Sequence, residues 1–463
     1  MRLTIEDIVK ATGGQLVYNG EVLMADAEDF TKQVEGVVLD SRLVKEGYVF
    51  IATVGERVDG HTFINQVFEK GAMLVVCQQV PEDAKGLCVR VEDSFKALTQ
   101  IAACYRSHLD IKIVGITGSV GKTSTKEFVA TTLAEKYSVL KTEGNFNNEI
   151  GVPLTLLKIR DEHEIAVVEM GINHFGEMTR LTTLVKPDVA VITNIGTCHL
   201  EFLGDRDGVL KAKTEILTGL KEGGNLVING DDDKLATVMS NDNFKLVSVG
   251  IDEDTDYKAI SIVNNGLLGS RATIVGGGME CEVNVPLPGA HMVYNALTAA
   301  AVGRIFGMDA REIADGIGHV KATGGRSNVI KTDNYVLIDD CYNANPVSMR
   351  AALELLASAN TRKVAILGDM FELGEDELRL HSETGEYAMK VGTDVLVCIG
   401  KLSKAMADSA SILASMRQQV FYFETRDEAI SEFGNILMKN DSILIKASHG
   451  MQFTEIVKML GES

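Results

Sequence analysis

The feature that most constrains the fold of this chain is a glycine-rich loop, GITGSVGKTS, at residues 115–124. It follows an apolar run of strand length, IKIVGIT, and precedes KTSTKEFVATTLAEKY, in which apolar residues recur at helical spacing. A loop of this kind, between a buried strand and a helix, directs backbone N–H groups and the helix dipole at an anion. The sequence therefore predicts an α/β sheet with a phosphate-binding loop, or P-loop, at the end of one strand.

Within this loop, the Lys122 side chain can reach the β- and γ-phosphates of a nucleotide, and the Thr123 hydroxyl can ligate Mg²⁺. The common motif has a glycine five residues before Gly121, where this chain has Ile116, so the spacing departs by one place. Strand, glycines and helix still agree, and we predict that a nucleotide binds here. The residues expected to hold its phosphates are Gly118, Ser119, Val120, Gly121, Lys122, Thr123 and Ser124.

Three zones follow one another along the 463 residues. Residues 1–110 alternate short apolar runs with turns, 111–325 repeat strand, loop and helix units, and 326–463 form a second series of such units. We expect an α/β protein with a smaller N-terminal α/β domain, a central P-loop domain with a doubly wound sheet, and a C-terminal Rossmann-like domain. A glycine-rich stretch at 266–285 predicts antiparallel strands with tight turns.

The composition and net charge of the chain exclude several classes of binding partner. The 45 Lys and Arg residues against 65 Asp and Glu give a net charge of −20, which repels nucleic acids and anionic membranes. Seven cysteines without a C-x-x-C pair are typical of reduced thiols. No apolar stretch reaches the roughly 18 residues of a membrane span, and the first residues lack the apolar run of a signal peptide. We expect a cytoplasmic protein with no nucleic-acid partner and no membrane insertion.

Two candidate ligands for a metal ion follow predicted strands. Glu169 ends the apolar run IAVVEMG, and His199 follows DVAVITNI. Open α/β sheets present ligand groups at this edge, where parallel strands end. Each residue has an ordinary alternative, a solvated glutamate at a strand end and a histidine with a structural role.

Lys213 occupies an unusual position in a predicted helix. It shares a face with Leu210, Ile216, Leu217 and Leu220, whereas Lys211 points away. A bare ammonium is costly to bury, so the lysine must be paired, chemically modified or extended to solvent.

Two amide-rich segments also follow predicted strands, NFNNEIGVP at 145–153 and DDCYNANP at 339–346. Their amides could bind polar groups of a substrate or could cap and turn the chain, and both interpretations stay open. The candidate substrate contacts are Asn145, Asn147, Asn148, Asn343 and Asn345.

Taken together, these motifs resemble the Mur ligases, the ATP-dependent amide-forming enzymes of peptidoglycan synthesis and cell wall biogenesis. The resemblance rests on DSR (40–42), VFIATVGERVDGHTF (49–63), TGSVGKTS, GNFNNEIGVPLTLL, VVEMG, NIGTCHLEFLG, LPGAHMVYNALTAAA, DDCYNANPVSM and LGDMFELG. The ATP loop of this family departs from the common glycine spacing in the same way. NFNNEIGVP and YNANP favour the member that joins D-alanyl-D-alanine to UDP-N-acetylmuramoyl-tripeptide.

The resemblance implies roles for individual residues. It places Lys122 on the phosphates of ATP, Thr123 and Glu169 on one Mg²⁺, and His199 on a second. It implies that Lys213 carries a carbamate near the metal, and that Lys122, Lys213 and His199 take part in catalysis. The remaining implied contacts are Asn295 with adenine, Arg326 and Asp340 with the nucleotide from the C-terminal side, and Ser41, Arg42 and Arg57 with the UDP-sugar.

This chain departs from the family pattern at two places. His291-Met292 stands where His-Asn is frequent, and Lys446-Ala447-Ser448-His449 replaces a KGSR-type motif. The second change exchanges a permanent cation for a group that titrates near neutrality.

The implied reaction runs through an acyl phosphate on a monomeric enzyme. Two alternatives remain: another amide ligase of the superfamily, such as a different Mur ligase or folylpolyglutamate synthase, and a P-loop switch that binds nucleotide without ligating anything.

Overall fold

The computed structural model describes residues 1–23, 28–55, 58–322 and 324–462. Within these ranges the chain forms three β-sheets in succession, each flanked by helices. The predicted α/β class is confirmed.

The first sheet is mixed, with strand order β2-β1-β6-β5-β4-β3. Strands β3 to β6 pair in parallel, and β1 is antiparallel to both of its neighbours. Its elements are α1 (Ile5–Thr12), β1 (Gln15–Tyr18), β2 (Glu21–Leu23), β3 (Gly36–Val38), β4 (Tyr48–Ile51), α2 (Ile64–Glu69), β5 (Leu74–Cys77), β6 (Cys88–Arg90) and α3 (Ser94–Ser107).

The second sheet has nine strands in the order β15-β14-β13-β12-β11-β10-β7-β9-β8. Its elements are β7 (Lys112–Thr117), α4 (Lys122–Leu133), β8 (Val139–Lys141), α5 (Gly151–Leu156), β9 (Ile165–Glu169), α6 (Glu177–Val185), β10 (Val189–Ile192), α7 (Leu200–Leu203), α8 (Arg206–Thr214), β11 (Gly224–Asn229), β12 (Phe244–Gly250), β13 (Tyr257–Asn264), β14 (Ser270–Gly276), β15 (Met279–Val285), α9 (His291–Ile305) and α10 (Ala310–Gly318). The pairs from β8 to β13 are parallel, whereas β14 is antiparallel to β13 and β15, as the glycine-rich stretch predicted.

The third sheet has the order β16-β17-β21-β18-β19-β20, and all its pairs except β16–β17 are parallel. Its elements are β16 (Asn328–Lys331), β17 (Tyr335–Asp339), α11 (Pro346–Ala357), β18 (Lys363–Gly368), α12 (Glu377–Lys390), β19 (Val395–Ile399), α13 (Ser403–Leu413), β20 (Gln419–Phe423), α14 (Arg426–Ile436), β21 (Asp441–Lys446) and α15 (Thr454–Gly461).

Helix α3 joins the first two sheets into one apolar core, which runs from Leu3 to Phe244. The buried Tyr105 hydroxyl donates a hydrogen bond of 2.5 Å to the Ile159 carbonyl. The buried guanidinium of Arg106 donates to the Val185 carbonyl at 2.9 Å, so its polar atoms are paired inside the protein. The third sheet has separate apolar clusters on its two faces.

Two features of this arrangement bear on function. The neighbouring strands β10, β7 and β9 end at one edge of the second sheet, which brings the P-loop together with the segments after residues 169 and 192. None of the described helices combines the length and the apolar character needed to cross a bilayer.

Candidate active site

A cavity of about 1030 Å³ lies where β7, β9 and β10 end, and all three sheet regions contribute to its lining. The structure brings most of the predicted site residues together there. Those that line it are Ser119, Val120, Gly121, Lys122, Thr123, Ser124, Asn147, Asn148, Glu169, His199, Asn295, Arg326, Asp340, Asn343 and Asn345.

The P-loop is held in place by the two residues that follow β10. The Val120 N–H donates to Asn194 Oδ1 at 2.9 Å, and its carbonyl accepts from Thr193 Oγ1 at 2.6 Å and Asn194 Nδ2 at 2.9 Å. Gly118 has a φ of 149° beneath the loop, and a Cβ there would overlap Thr193 Oγ1. Sequence reasoning missed this support, although the polar pair directly after a buried strand was the available signal.

Lys122 lies inside the loop, where its Nζ donates to the Gly118 carbonyl at 2.8 Å. Burial lowers the pKa of this lysine from its ordinary value, although the charge of Glu169 opposes the shift. An anionic phosphate in the loop would offset the cost of burying the ammonium.

Glu169 is buried and is fixed through both carboxylate oxygens. Oε2 accepts from Thr123 Oγ1 at 2.8 Å, and Oε1 accepts from Asn147 Nδ2 at 2.8 Å. A hydroxyl and a carboxylate in contact beside a phosphate loop are the hard oxygen donors that Mg²⁺ prefers, so these residues fit that ion.

Lys126 was not predicted, because it lies in the interior of α4. This buried lysine donates to the Thr142 carbonyl at 2.7 Å and lies 3.9 Å from Glu169 Oε2. It places a positive charge behind the carboxylate.

His199 directly precedes α7 and has a left-handed backbone, φ 54°. Burial, followed by the charges of Lys122 and Lys213, lowers the pKa of this histidine to about 4. The imidazole is therefore neutral near pH 7 and keeps a lone pair for a metal ion. Its Nδ1 lies 3.1 Å from Glu372 Oε2 of the C-terminal region.

Lys213 is 1% exposed, as its helical position predicted, and Lys211 is exposed. The Lys213 ammonium has no hydrogen bond and no ion pair to any part of the chain that the structure describes, and this burial disfavours extension to solvent. Burial, together with the charge of Lys122, lowers the pKa of Lys213 to about 8. Lys213 is not among the residues that line the cavity.

Arg326 and Asp340, the C-terminal candidates for nucleotide binding, each contact another side chain of the same region. The Arg326 guanidinium stacks 3.8 Å from the centre of the Tyr342 ring. Asp340 Oδ2 lies 2.5 Å from the Nζ of Lys446, a buried lysine that sequence reasoning did not place in the site. His449 lies beside the same tyrosine, with its ring centre 6.0 Å away.

Asn295 lies on α9 against the P-loop helix. Its Oδ1 accepts from Thr125 Oγ1 at 2.8 Å, while its Nδ2 contacts Met292 Sδ at 3.3 Å. Met292, which stands where asparagine is frequent in the family, is therefore the neighbour of the Asn295 amide.

The amide-rich segments combine local hydrogen bonding with access to the cavity. Asn148 Oδ1 accepts from the Gly151 N–H at 2.8 Å, and Asn345 Oδ1 accepts from the Ser348 N–H at 2.9 Å at the start of α11. Asn343 Oδ1 accepts from the Ala344 N–H at 2.9 Å. These three oxygens support turns and caps, while Asn145 is exposed and lies outside the lining.

Two of the three predicted UDP-sugar residues lie outside this cavity. Ser41 and Arg42 do not line the cavity, and Arg57 is outside the described residues. Arg42 pairs with Asp40, with Nη2 and Oδ2 2.6 Å apart, and its hydrogen bonds lower the pKa of that carboxyl to about 2. The N-terminal region instead reaches the cavity through Phe95, Lys96 and Thr99 of α3, which sequence reasoning missed.

Models of three Mur ligase domains match this chain in sequence. They are the Mur ligase family, catalytic domain (residues 33–106), the Mur ligase middle domain (116–303) and the Mur ligase, glutamate ligase domain (325–449).

Similar proteins are found in several bacteria. The chain is 40% identical to the UDP-N-acetylmuramoyl-tripeptide–D-alanyl-D-alanine ligase of Bacillus subtilis (strain 168), over 93% of this chain and 94% of that protein. It is 33% identical to the ligase of the same name from Escherichia coli (strain K12), over 98% and 99%.

Solved structures agree with this relationship. A MurF crystal structure from Acinetobacter baumannii superposes with a TM-score of 0.88 at 32% identity, covering 99% of both chains. The MurF ligase of Thermotoga maritima in complex with ADP superposes with a TM-score of 0.78 at 29% identity, covering 92% of this chain and 97% of that one. On these sequence and structural grounds, the chain belongs to the Mur ligase family.

Proposed function

We propose that this chain is an ATP-dependent amide ligase that joins D-alanyl-D-alanine to UDP-N-acetylmuramoyl-tripeptide in peptidoglycan precursor synthesis. The observation that carries the proposal is one cavity that combines a P-loop lysine, a Thr123–Glu169 pair and polar groups from the C-terminal region. The similarity to ligases of that name over nearly the whole chain supports the choice of substrates.

In this reaction the terminal carboxylate of the tripeptide attacks the γ-phosphate of ATP and forms an acyl phosphate with release of ADP. The amine of D-alanyl-D-alanine then attacks the acyl carbon, and phosphate leaves. Carboxylate and triphosphate repel each other, so the Lys122 ammonium has to offset their charges and stabilise the transferring phosphoryl group.

Thr123, Glu169 and His199 would hold Mg²⁺, which neutralises phosphate charge when it is bound. The protein keeps these ligands in place through Asn147, which donates to Glu169, and through the burial that keeps His199 neutral.

Lys213 acts through its carbamate in this proposal. A carbamate forms from a neutral amine and CO₂, and the burial that lowers the pKa of Lys213 to about 8 raises the neutral fraction. The modification would replace an unpaired buried cation with an anion, whose charge would balance the positive charges of Lys122 and of a metal ion held by His199.

Asn295 contacts the adenine, while Arg326 and Asp340 close over the nucleotide from the C-terminal side. Closure protects the acyl phosphate from water. We assign 1–110 to UDP-sugar binding, 111–325 to the ATP-binding domain and 326–463 to the closing domain, in a monomeric cytoplasmic enzyme whose seven cysteines are free thiols.

A phosphate-release assay tests the proposal. We expect release that requires ATP, a UDP-muramoyl-tripeptide and D-alanyl-D-alanine together, with the amide product detected by mass spectrometry. Lysine- and diaminopimelate-containing tripeptides should be compared side by side. Slow ATP hydrolysis at a rate that does not depend on the dipeptide would instead indicate a nucleotide switch.

Replacing Arg42 with alanine tests the assignment of the N-terminal region. Loss of one charge-assisted hydrogen bond should raise KM for the UDP-muramoyl-tripeptide about tenfold, with KM for ATP unchanged. Lys45→Ala is the control, since Lys45 is an exposed cation three residues away. Equal changes in both KM values would show that Arg42 serves only its ion pair with Asp40. Arg57→Ala should behave as Arg42→Ala does.

A further inference from the structure

The loop after β18 carries a carboxylate from the C-terminal region to the central one. Glu372 Oε2 lies 3.1 Å from His199 Nδ1, and the turn at residues 374–376 packs against α7. Among the residues that the structure describes, Nδ1 has no aligned hydrogen bond, so Glu372 is the acceptor placed to receive one after a small rotation.

The chemistry of imidazole gives this contact a consequence. A neutral ring carries its proton on one nitrogen and a lone pair on the other. A carboxylate that accepts from Nδ1–H leaves the lone pair on Nε2, and metal-binding histidines are commonly oriented in this way.

The backbone conformations of His199 and Glu372 also support a functional role for this contact. His199 has φ 54° and Glu372 has φ 62°, a left-handed conformation that residues other than glycine rarely adopt. Two such residues meet across the boundary between separate apolar cores, and strain of this kind clusters at functional sites.

We propose that Glu372 is a positioning residue whose carboxylate accepts a hydrogen bond from His199 Nδ1–H and thereby directs Nε2 toward the magnesium site. Since Glu372 and His199 belong to different domains, packing of the C-terminal domain completes the metal site. The inference rests on the proposed function, in which His199 is a metal ligand.

Metal affinity tests this role independently of turnover. Mn²⁺ binding is measured by electron paramagnetic resonance on the full-length protein with a non-hydrolysable ATP analogue and UDP-muramoyl-tripeptide. Glu372→Ala should weaken one Mn²⁺ site about tenfold or more, the usual effect of removing a group that orients a ligand. Glu375→Ala is the matched control, because Glu375 is an exposed carboxylate in the same loop, and it should bind as the wild type does.

A double variant tests whether the effect passes through the histidine. In a His199→Ala background, Glu372→Ala should cause no further loss of Mn²⁺ affinity. Wild-type Mn²⁺ affinity in Glu372→Ala, or an equal loss in the His199→Ala background, would overturn the proposal. Glu372 has a side chain 55% exposed, so the melting temperature should stay unchanged.

Different results would contradict the role of Glu372 and the proposed function. The first would be contradicted by an unchanged metal site in Glu372→Ala when the enzyme ligates its substrates. The second would be contradicted if the wild-type protein showed no phosphate release that depends on both the tripeptide and the dipeptide.

Discussion

Lys122→Ala is expected to lower the rate of ligation about a thousandfold or more at saturating ATP, with little change in the melting temperature. In the proposed reaction the Lys122 ammonium stabilises the transferring phosphoryl group, and losses of this size follow removal of such a group in phosphoryl transfer. The fold should persist because Thr193 and Asn194, rather than Lys122, fix the loop backbone at Val120. Single-turnover phosphate release measures the effect.

Lys112→Ala provides the control for this variant. Lys112 stands at the start of the same strand, β7, and its exposed ammonium lies 3.0 Å from the largely buried Asp188, which also pairs with Lys221 at 2.9 Å. Because the Lys112 ammonium is exposed and Asp188 keeps Lys221 as a partner, activity and stability should stay near the wild-type values. Full turnover by Lys122→Ala would remove Lys122 from the reaction and with it the assignment of the phosphate site.

Lys213→Ala is expected to lose most activity, and a small carboxylic acid added to the assay should restore part of it by supplying the missing anion. Lys213→Arg should also be inactive, since a guanidinium cannot form a carbamate and cannot face a metal ion. Activity of the wild type should rise with added bicarbonate. It should also rise as the pH approaches and passes the pKa of Lys213 near 8, because the neutral amine is the form that reacts with CO₂.

Lys211→Ala separates this role from a general effect of removing a lysine from α8. Lys211 is exposed and lies 5.6 Å from the centre of the Phe175 ring, so its removal should be nearly silent. Full activity in Lys213→Arg would show that a buried cation, and not a carbamate, is what the site requires.

The parts of the site that sequence could predict are those set by local order. A strand, glycines and a helix identify the P-loop, and chain topology places Glu169 and His199 at the same sheet edge, where the structure has them. The burial of Lys213 followed from helical spacing, because a helix face is determined by residues three and four apart.

Contacts between distant segments could not be predicted in this way. The meeting of His199 with Glu372, or of Asp340 with Lys446, depends on how whole domains and strands pack. Which strands pair with each other is determined by the total burial of many apolar residues, and no single motif encodes that order. For the same reason, the contribution of Phe95 on α3 to the cavity was not visible in the sequence.

The core that α3 shares between the first two sheets limits how this protein can be recombined. A chimera that exchanges residues 1–110 for those of another ligase would replace Tyr105 and Arg106 while keeping the carbonyls they bind, at Ile159 and Val185. Among the described residues, the apolar clusters of the third sheet are separate from that shared core, so its exchange has to preserve only polar contacts such as that of Glu372 with His199. Recombination is therefore limited by a common core in the N-terminal and central regions, and by contacts at the cavity in the C-terminal region.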